Sequence, residues 1–378
     1  MAASENEITP PRISINPEDI KGHEGEQNGS GTPRSSTGWD GKLRLEKKTE
    51  LLNPEALSDP EYSDAEQVLP GQVIPADDDL LDEANFPLDT DEIDLIHARI
   101  AEIPGERLKK YKQVERLSFR QNTIAEIQGL SCLASTLKEL DLYDNLIQHI
   151  EGLEELTNLI KLDLAFNKIK CIKNVSHLVK LEEIFLLQNK IKKIEHLDGL
   201  TKLRNLELGM NRIREIENLD TLTGLAELWL GSNKIVEIKG LDNLQNLKIL
   251  SIQSNRIQQI SGLDALPNLE EIYIAHNALS SVSGLEKVRS LRVLDISNNQ
   301  VTSIVGLKHL EELEEVWASY NQLADIAEIE NELKDSKKLN TVYFEGNPLH
   351  LKTPTLYRNK VRLALPQVMQ IDASKSTF

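Results

Sequence analysis

Cysteine is nearly absent from the 378-residue chain: only Cys132 and Cys171 occur, with no CxxC pair and no His-Cys cluster near either. That excludes a disulfide framework and a zinc site, and two free thiols fit a reduced compartment. Long apolar runs are missing as well, none approaching the roughly 18 residues a membrane helix needs. The first residues, Met1 to Glu5, carry neither a basic patch nor an apolar stretch of the signal-peptide kind. A soluble intracellular protein of nucleus and cytoplasm, without membrane contact, is expected. Positive charge is scarce: 61 acids face 43 bases, a net of -18, which opposes nucleic acid and anionic membranes as partners. Catalytic signatures are lacking too. There is no Gly-rich phosphate loop, GxSxG or HExxH, and the eight histidines are scattered. Carboxylates such as Asp141 and Asp163 recur on what reads as an open surface, where nothing would desolvate them enough to separate acid from base roles. No enzyme, cofactor or metal is expected.

The scarcity of bases is uneven. Residues 1–90 hold 20 acids and 7 bases, a net of -13, and nine of the 14 prolines; residues 91–378 hold 41 and 36, a net of -5. The first segment shows no lasting apolar periodicity, so it cannot bury enough surface to offset its ordering entropy, and disorder is expected there. Thr9 and Thr32 precede prolines, and Ser58 and Ser63 precede acids, as in kinase sites. Such pairings also arise by chance in a segment of this composition.

What is present is a repeat. Asparagines stand at 122, 145, 167, 189, 211, 233, 255, 277, 299, 321 and 347, spaced by 23, then eight times by 22, then by 26. Around each lies one frame, as in Leu225, Leu228, Leu230, Asn233, Ile235, Ile238, Leu241 and Leu244. The Leu-x-Leu piece has the period of a short strand, and copies of it should stack into a parallel sheet. The Asn follows where the chain leaves the strand, and its amide can satisfy backbone groups there. A 22-residue period leaves room for only a tight or 3₁₀-like return. The expected fold is α/β: a leucine-rich-repeat solenoid with a curved parallel sheet on its concave face and short helical turns outside, of about 11 to 12 repeats. Residues 91–347 form the solenoid, opening on a partial repeat in which Ile93, Leu95, Ile100 and Ile103 cover the first full one. Residues 348–378 form the C-terminal cap, with Tyr357, Val361 and Leu365 on one helical face.

The outward residue between the two strand leucines, four places before each Asn, reads Ser118, Asp141, Asp163, Phe185, Glu207, Trp229, Ser251, Tyr273, Asp295, Trp317 and Tyr343. Five of the eleven are aromatic in a chain that is 4% aromatic, four are acidic and none is basic. Strand positions favour aromatics, but they equally favour Val, Ile and Thr, and this column has none. Aromatic anchors with flanking carboxylates suit a folded protein partner that offers a basic and apolar patch. With strands ~4.8 Å apart the strip would be roughly 50 Å long, enough for a total interface of about 1,600 Å². Stacking on single-stranded nucleic acid would need bases along the strip, where carboxylates stand instead.

The 22-residue frame, the acidic leader and the C-terminal segment together resemble the leucine-rich-repeat regulatory subunits of type 1 protein phosphatase. The likeness runs from about Asp91 to Phe378 and is closest at LYDN (142–145), LDLAFN (162–167), NRIREIENLDTLT (211–223), SNRI (254–257), TVYFEGNPL (341–349) and RNKVRLALPQVMQID (358–372). It implies a non-catalytic subunit that binds the phosphatase catalytic subunit on its concave face and controls its maturation, activity and location, including in mitosis. A small disordered phosphatase inhibitor is implied as a third component. Contact residues of the family's type fall on Asp163, Phe185, Glu207, Asp295, Glu315, Trp317 and Tyr343. Trp229 stands where the family can show Phe, and Asp141 and Tyr273 are possible further contacts. The basic-Val-x-Phe docking motif of many phosphatase regulators is not found in this chain. Two other readings remain open: a cytoskeletal or nuclear adaptor using the same face, and a GTPase-activating solenoid, which the lack of Arg in the column disfavours.

Overall fold

The computed structural model describes residues 81–83 and 85–375. The leader up to residue 80, with Thr9, Thr32, Ser58 and Ser63, lies outside the described residues, so the expectation of disorder there is not addressed.

Fourteen short strands form the sheet, of three residues each except for the last two, which have two. They are β1 (Glu92–Asp94), β2 (Arg116–Ser118), β3 (Glu139–Asp141), β4 (Lys161–Asp163), β5 (Glu183–Phe185), β6 (Asn205–Glu207) and β7 (Glu227–Trp229). There follow β8 (Ile249–Ser251), β9 (Glu271–Tyr273), β10 (Val293–Asp295), β11 (Glu315–Trp317), β12 (Thr341–Tyr343), β13 (Gln370–Ile371) and β14 (Ser374–Lys375). They pair in strict chain order, parallel from β1 through β13, with β14 returning antiparallel. Register is uniform: the central leucine of one strand faces that of the next, as in Leu206 with Leu228 and Leu228 with Leu250. A parallel stack of this kind is the solenoid that the 22-residue period predicts.

The Asn ladder holds the exit from each strand. Asn211 Oδ1 accepts from Ile191 N at 3.0 Å, and its Nδ2 donates to Leu186 O at 2.8 Å and to Leu208 O and Gly209 O at 3.0 Å. The same set recurs from Asn122, which accepts from Ile100 N, to Asn347, which accepts from Leu323 N. Each amide therefore ties its own turn to the preceding repeat, satisfying buried backbone groups that have no strand partner.

Just before each of these asparagines the backbone turns left-handed. The residues from Gln121 to Tyr320 at that position have φ between 51° and 57°, and Gly346 closes the series. Only Asp144 and Asn298 there belong to the types that tolerate this conformation easily. Hydrogen bonds across repeats, such as Met210 N to Gly231 O at 2.8 Å, hold it. A second left-handed position lies seven residues after each Asn from Asn122 to Asn299 and is Gly at six of the nine. At Gly152 an added Cβ would meet Ile127 O at 1.9 Å. Where Asn174 and Asn218 occupy that place, the side-chain amide instead donates to the preceding repeat's carbonyl, Ile150 O at 2.8 Å and Ile194 O at 2.7 Å.

The return segments are 3₁₀-type turns, closed by bonds such as Leu222 N to Leu219 O at 2.9 Å. The 26-residue spacing admits more: α2 (Ile326–Leu333) forms there, capped by Asp325 Oδ1 accepting from Ala327 N at 2.8 Å. It follows the shorter α1 (Gly105–Leu108) near the first repeat and precedes α3 (Pro348–Leu351) and α4 (Pro354–Ala364) in the last segment.

Both ends of the core are covered. Ile93, Leu95, Ile100 and Ile103 are buried beside Leu108, Tyr111 and Val114 at one end. At the other, α4 turns Tyr357 and Val361 inward. Asp372 there repeats the ladder's logic with a carboxylate: Oδ1 accepts from Phe344 N at 3.0 Å, Glu345 N at 3.1 Å and the Tyr357 hydroxyl at 3.1 Å. Burial and the facing carboxylate push the Tyr357 phenol above its ordinary value. Among the described residues no helix is long and apolar enough to cross a membrane. No group of three or more His, Cys, Asp and Glu there could hold a metal. Cys132 and Cys171 are both free.

Candidate protein-binding face

Each three-residue strand turns its central leucine, isoleucine or valine into the core and presents the residues on either side to the concave surface. Leu228 and Leu230 are fully buried, whereas Glu227 and Trp229 between and before them are half-buried. All the residues singled out from the sequence lie on this one sheet face: Asp141, Asp163, Phe185, Glu207, Trp229, Tyr273, Asp295, Trp317 and Tyr343 each end a strand, and Glu315 begins β11. Register pairs Asp141 with Asp163, Phe185 with Glu207, Glu207 with Trp229, and Trp317 with Tyr343.

Two further columns share the face; of these the sequence reading named only Glu315, and that through the resemblance. One is the first strand residue, which is Glu in alternate repeats: Glu139, Glu183, Glu227, Glu271 and Glu315. Three of these carboxylates grip the aromatic two residues on. Trp229 Nε1 donates to Glu227 at 3.2 Å, the Tyr273 hydroxyl to Glu271 at 2.7 Å, and Trp317 Nε1 to Glu315 at 2.8 Å. The polar edge of each ring is satisfied before any partner arrives, and its apolar body faces the groove. The other column lies two residues before each Asn. It begins with Arg120 and Tyr143 and is mostly small from the sixth strand on, with Gly209, Gly231, Ala275, Ser297 and Ser319 interrupted by Gln253 and ended by Glu345. Small neighbours leave the rings standing proud. A shallow hollow results, walled by Trp229, Tyr273 and Asp295 over Ser251 and Ala275. Period-two reading of a Glu-x-aromatic triplet could have found the first of these columns.

The rings also touch one another. Trp317 lies 6.0 Å from Tyr273 and 5.8 Å from Tyr343 between ring centroids, spacings at which tilted aromatic pairs attract. The Tyr343 hydroxyl accepts from Gln370 at 2.6 Å, which joins β13 to the same network. Phe185 has a cation instead, Lys161 Nζ at 5.2 Å from its centroid.

The column's carboxylates are not freely solvated, contrary to the expectation for an open surface. Burial pushes Glu207 up to about 7, only partly opposed by the hydrogen bond its Oε1 accepts from Gly209 N at 2.7 Å. Asp163 and Asp295 are also raised by burial, each against a backbone bond, from Ala165 N and Ser297 N at 2.9 Å. Burial on the floor disfavours the charged form of each of these carboxylates. Asp141 and Asp163 share a counterion the sequence reading overlooked: Arg120 Nη1 lies 2.9 Å from Asp141 and 3.6 Å from Asp163, with the guanidinium 4.0 Å above the Tyr143 ring.

The ordered stack and its Asn ladder define a leucine-rich-repeat solenoid, with a row of half-buried aromatics and carboxylates along its concave floor. A family model described as Leucine Rich repeats (2 copies) matches residues 157–200, 245–287 and 289–331. Solved structures agree on the fold. An internalin (InlF) from Listeria monocytogenes superposes with a TM-score of 0.60 at 23% identity, covering 76% of this chain and 87% of that one. A Leptospira interrogans leucine-rich-repeat protein gives 0.53 at 23% identity, covering 72% and 81%.

Among curated proteins, the chain is similar to regulatory subunits of protein phosphatase 1. It is 43% identical over 107 residues to protein phosphatase 1 regulatory subunit SDS22 of Saccharomyces cerevisiae, a stretch covering 28% of this chain and 31% of that one. It is 68% identical over 47 residues to SDS22 of Schizosaccharomyces pombe, covering 12% and 14%. Against human protein phosphatase 1 regulatory subunit 7 it is 56% identical over 48 residues, covering 13% of each. The matched stretches thus span about a third or less of these relatives' lengths.

Proposed function

We propose that the protein is a non-catalytic regulatory subunit of type 1 protein phosphatase, and that the catalytic subunit docks on the concave face. The reading is carried by the relatives' shared name as regulatory subunits of that phosphatase. The half-buried floor of aromatics and carboxylates is the kind of surface such docking requires. Trp229, Trp317, Phe185 and Tyr343 serve as apolar anchors. Asp163, Glu207, Asp295 and Glu315 set register against a basic rim on the partner, with Asp141 and Tyr273 adding contacts at the margins. Control of maturation, activity and location, a part in mitosis, residence in nucleus and cytoplasm, and a small disordered inhibitor as third component belong to the same proposal.

Its test is a pull-down from lysate with the full chain, wild type beside a Glu207→Ala, Trp229→Ala, Trp317→Ala variant, read by mass spectrometry. The wild type is expected to recover a type 1 phosphatase catalytic subunit and the variant to lose it. For Trp317→Ala alone the expected loss in affinity is ~2 kcal/mol or more, with the fold kept and a destabilisation smaller than that of a core leucine truncation. Absence of the phosphatase from both samples would refute the partner; equal recovery by both would refute the face.

A further inference from the structure

Over most of the solenoid, large apolar side chains that reach solvent stand far apart in the sequence, as on any soluble surface. The C-terminal cap departs from this. Among the described residues twelve such side chains are exposed, and four of them, Leu351, Leu356, Leu363 and Met369, fall within residues 351–369. Leu363 is the most exposed of the twelve, at 83%. Leu356 and Leu363 both belong to α4, whose inner face of Tyr357, Val361 and Ala364 is buried. Positions 356, 360 and 363 follow i, i+4 and i+7, so Leu356, Lys360 and Leu363 share the outer face of that helix. Left in water, the two leucines add little to the stability of the cap.

Charge on the cap is of one sign. From residue 346 to residue 371 the chain holds Lys352, Arg358, Lys360 and Arg362 and not one carboxylate, in a protein with a formal charge of -18. Arg358 is engaged, its Nη2 donating to Ile371 O at 2.7 Å and lying 3.7 Å from Asp372. Lys352, Lys360 and Arg362 are exposed. Among the described residues none of these three forms an ion pair, whereas the other bases of this end, Lys308 and Lys338, pair with Asp335 and Glu312. Lys360 Nζ donates to the Thr353 hydroxyl at 3.1 Å, a neutral acceptor that leaves its charge uncompensated. Two acids of α2, which packs against α4, are spent on the backbone of an earlier repeat: Glu328 accepts from Ile304 N at 2.7 Å and Glu332 from Gly306 N at 2.9 Å. Beside the outer face, a hollow of about 150 Å³ is lined by Ala324, Ile326 and Leu349 together with Lys352 and Lys360. Apolar and cationic groups therefore alternate over one end of the molecule.

We infer that the outer face of the cap is a second docking surface, distinct from the concave floor, and that its occupant is an acidic amphipathic helix of a partner protein. Leu356 and Leu363 lie seven residues apart, ~10.5 Å along the helix axis. A helix laid alongside presents its own side chains at the same interval, so apolar residues at i and i+7 can meet both leucines. Carboxylates on its flanks then face Lys352, Lys360 and Arg362, which have no competing partner to give up. The cap of a second copy is a disfavoured occupant, because it would set like charges against one another. An anionic membrane is disfavoured too, since two leucines and three bases stand against the repulsion of a strongly acidic chain.

The experiment measures binding of the full chain to a labelled helical peptide of roughly 18 residues, about 27 Å long, with leucines at i and i+7 and glutamates on both flanks. A glutamine counterpart of the peptide and vesicles of phosphatidylcholine and phosphatidylserine serve as rival probes. Leu356→Ser, Leu363→Ser is expected to bind the glutamate peptide about tenfold more weakly or worse. Lys352→Gln, Lys360→Gln, Arg362→Gln should lose about tenfold, three exposed ion pairs each contributing a few-fold, and the glutamine peptide should lose as much on the wild type. Val236→Ser, Val305→Ser removes exposed apolar groups elsewhere on the solenoid and should stay within about twofold of wild type. Thermal melts of all three variants check that the fold is kept. Failure of the wild type to bind the glutamate peptide, equal binding by the wild type and either cap variant, or a control variant that loses as much as the cap variants would overturn the inference. So would vesicles that bind more tightly than the peptide and respond to the same cap changes.

Discussion

The N-terminal and C-terminal halves of the concave floor rest on the same repeat yet solve the exposed strand in different ways. From β2 to β5 the floor is charged and internally matched, with Arg120 bridging Asp141 and Asp163 and stacked on Tyr143. From β7 to β12 it is aromatic. The rings of Trp229, Tyr273 and Trp317 are each pinned by a glutamate two residues earlier, and a run of small residues lies beside them. Matched charge adds little net attraction for a partner, because its counterion must be displaced before a new one is gained. Pinned rings over a bare floor have already lost rotamer freedom, and their apolar area is still available. Under the proposed docking the charged end would set selectivity and the aromatic end would anchor, with Glu207 where the two meet.

The comparison assumes that the core beneath both halves is equivalent. Leu140 and Leu294 occupy the same strand position and are both buried to about the same extent. Truncation of either to Ala should destabilise the fold by ~2 to 5 kcal/mol, the range for a buried leucine whose cavity relaxes only in part. Denaturant melts of Leu140→Ala and Leu294→Ala check this. A cost confined to one half would mean that the halves differ in foundation rather than in surface, and the contrast drawn above would fail.

A smaller effect sharpens the boundary between them. Glu207 titrates near 7 in the fold because burial disfavours its charge, whereas an unfolded glutamate titrates near 4.3. Its folded pKa is raised, so the stability it lends is fully present below the unfolded value and is lost as pH climbs through about 7. Glu207→Gln keeps an acceptor for the Gly209 amide and removes the titration. Relative to wild type, the variant should melt higher at pH 8 and show no gain at pH 4. A wild-type and variant difference that does not vary with pH would remove Glu207 from the desolvated floor.

Much of this was legible in the sequence. The Asn spacing prescribes the stack, the ladder of amide bonds and the length of the return, and the column four residues before each Asn lands on one face as a period of two requires. The second outward column escaped apart from Glu315, which only the resemblance supplied, because the reading centred on the residue between two leucines, while the paired strand is the triplet around one. Arg120 escaped because it lies outside that triplet, two residues past the end of its strand, and reaches forward to Asp141 and Asp163 in the next two repeats. The raised carboxylates could not have been read at all: desolvation depends on how the folded floor buries each one, which has no signature in spacing. The left-handed backbone before each Asn is similarly silent, since Phe166, Met210 and Tyr320 there give no hint of positive φ.

The smallest effect tests the charged half directly. Asp163 is held above its ordinary value by burial, with neighbouring Asp141 pushing the same way and Arg120 opposing both. Replacing Arg120 by Gln removes the opposing charge and leaves the two carboxylates facing each other across adjacent strands. The Asp163 pKa should rise further, read by carbon-detected NMR titration of the side-chain carboxyl. Global stability should change by less than about 1 kcal/mol, because the pair is partly exposed and the ring contact with Tyr143 is marginal in water. An unchanged Asp163 titration would show that the guanidinium merely lies over Tyr143, and the charged half would then be an array of separate carboxylates rather than a matched cluster, open to a cation supplied by the partner.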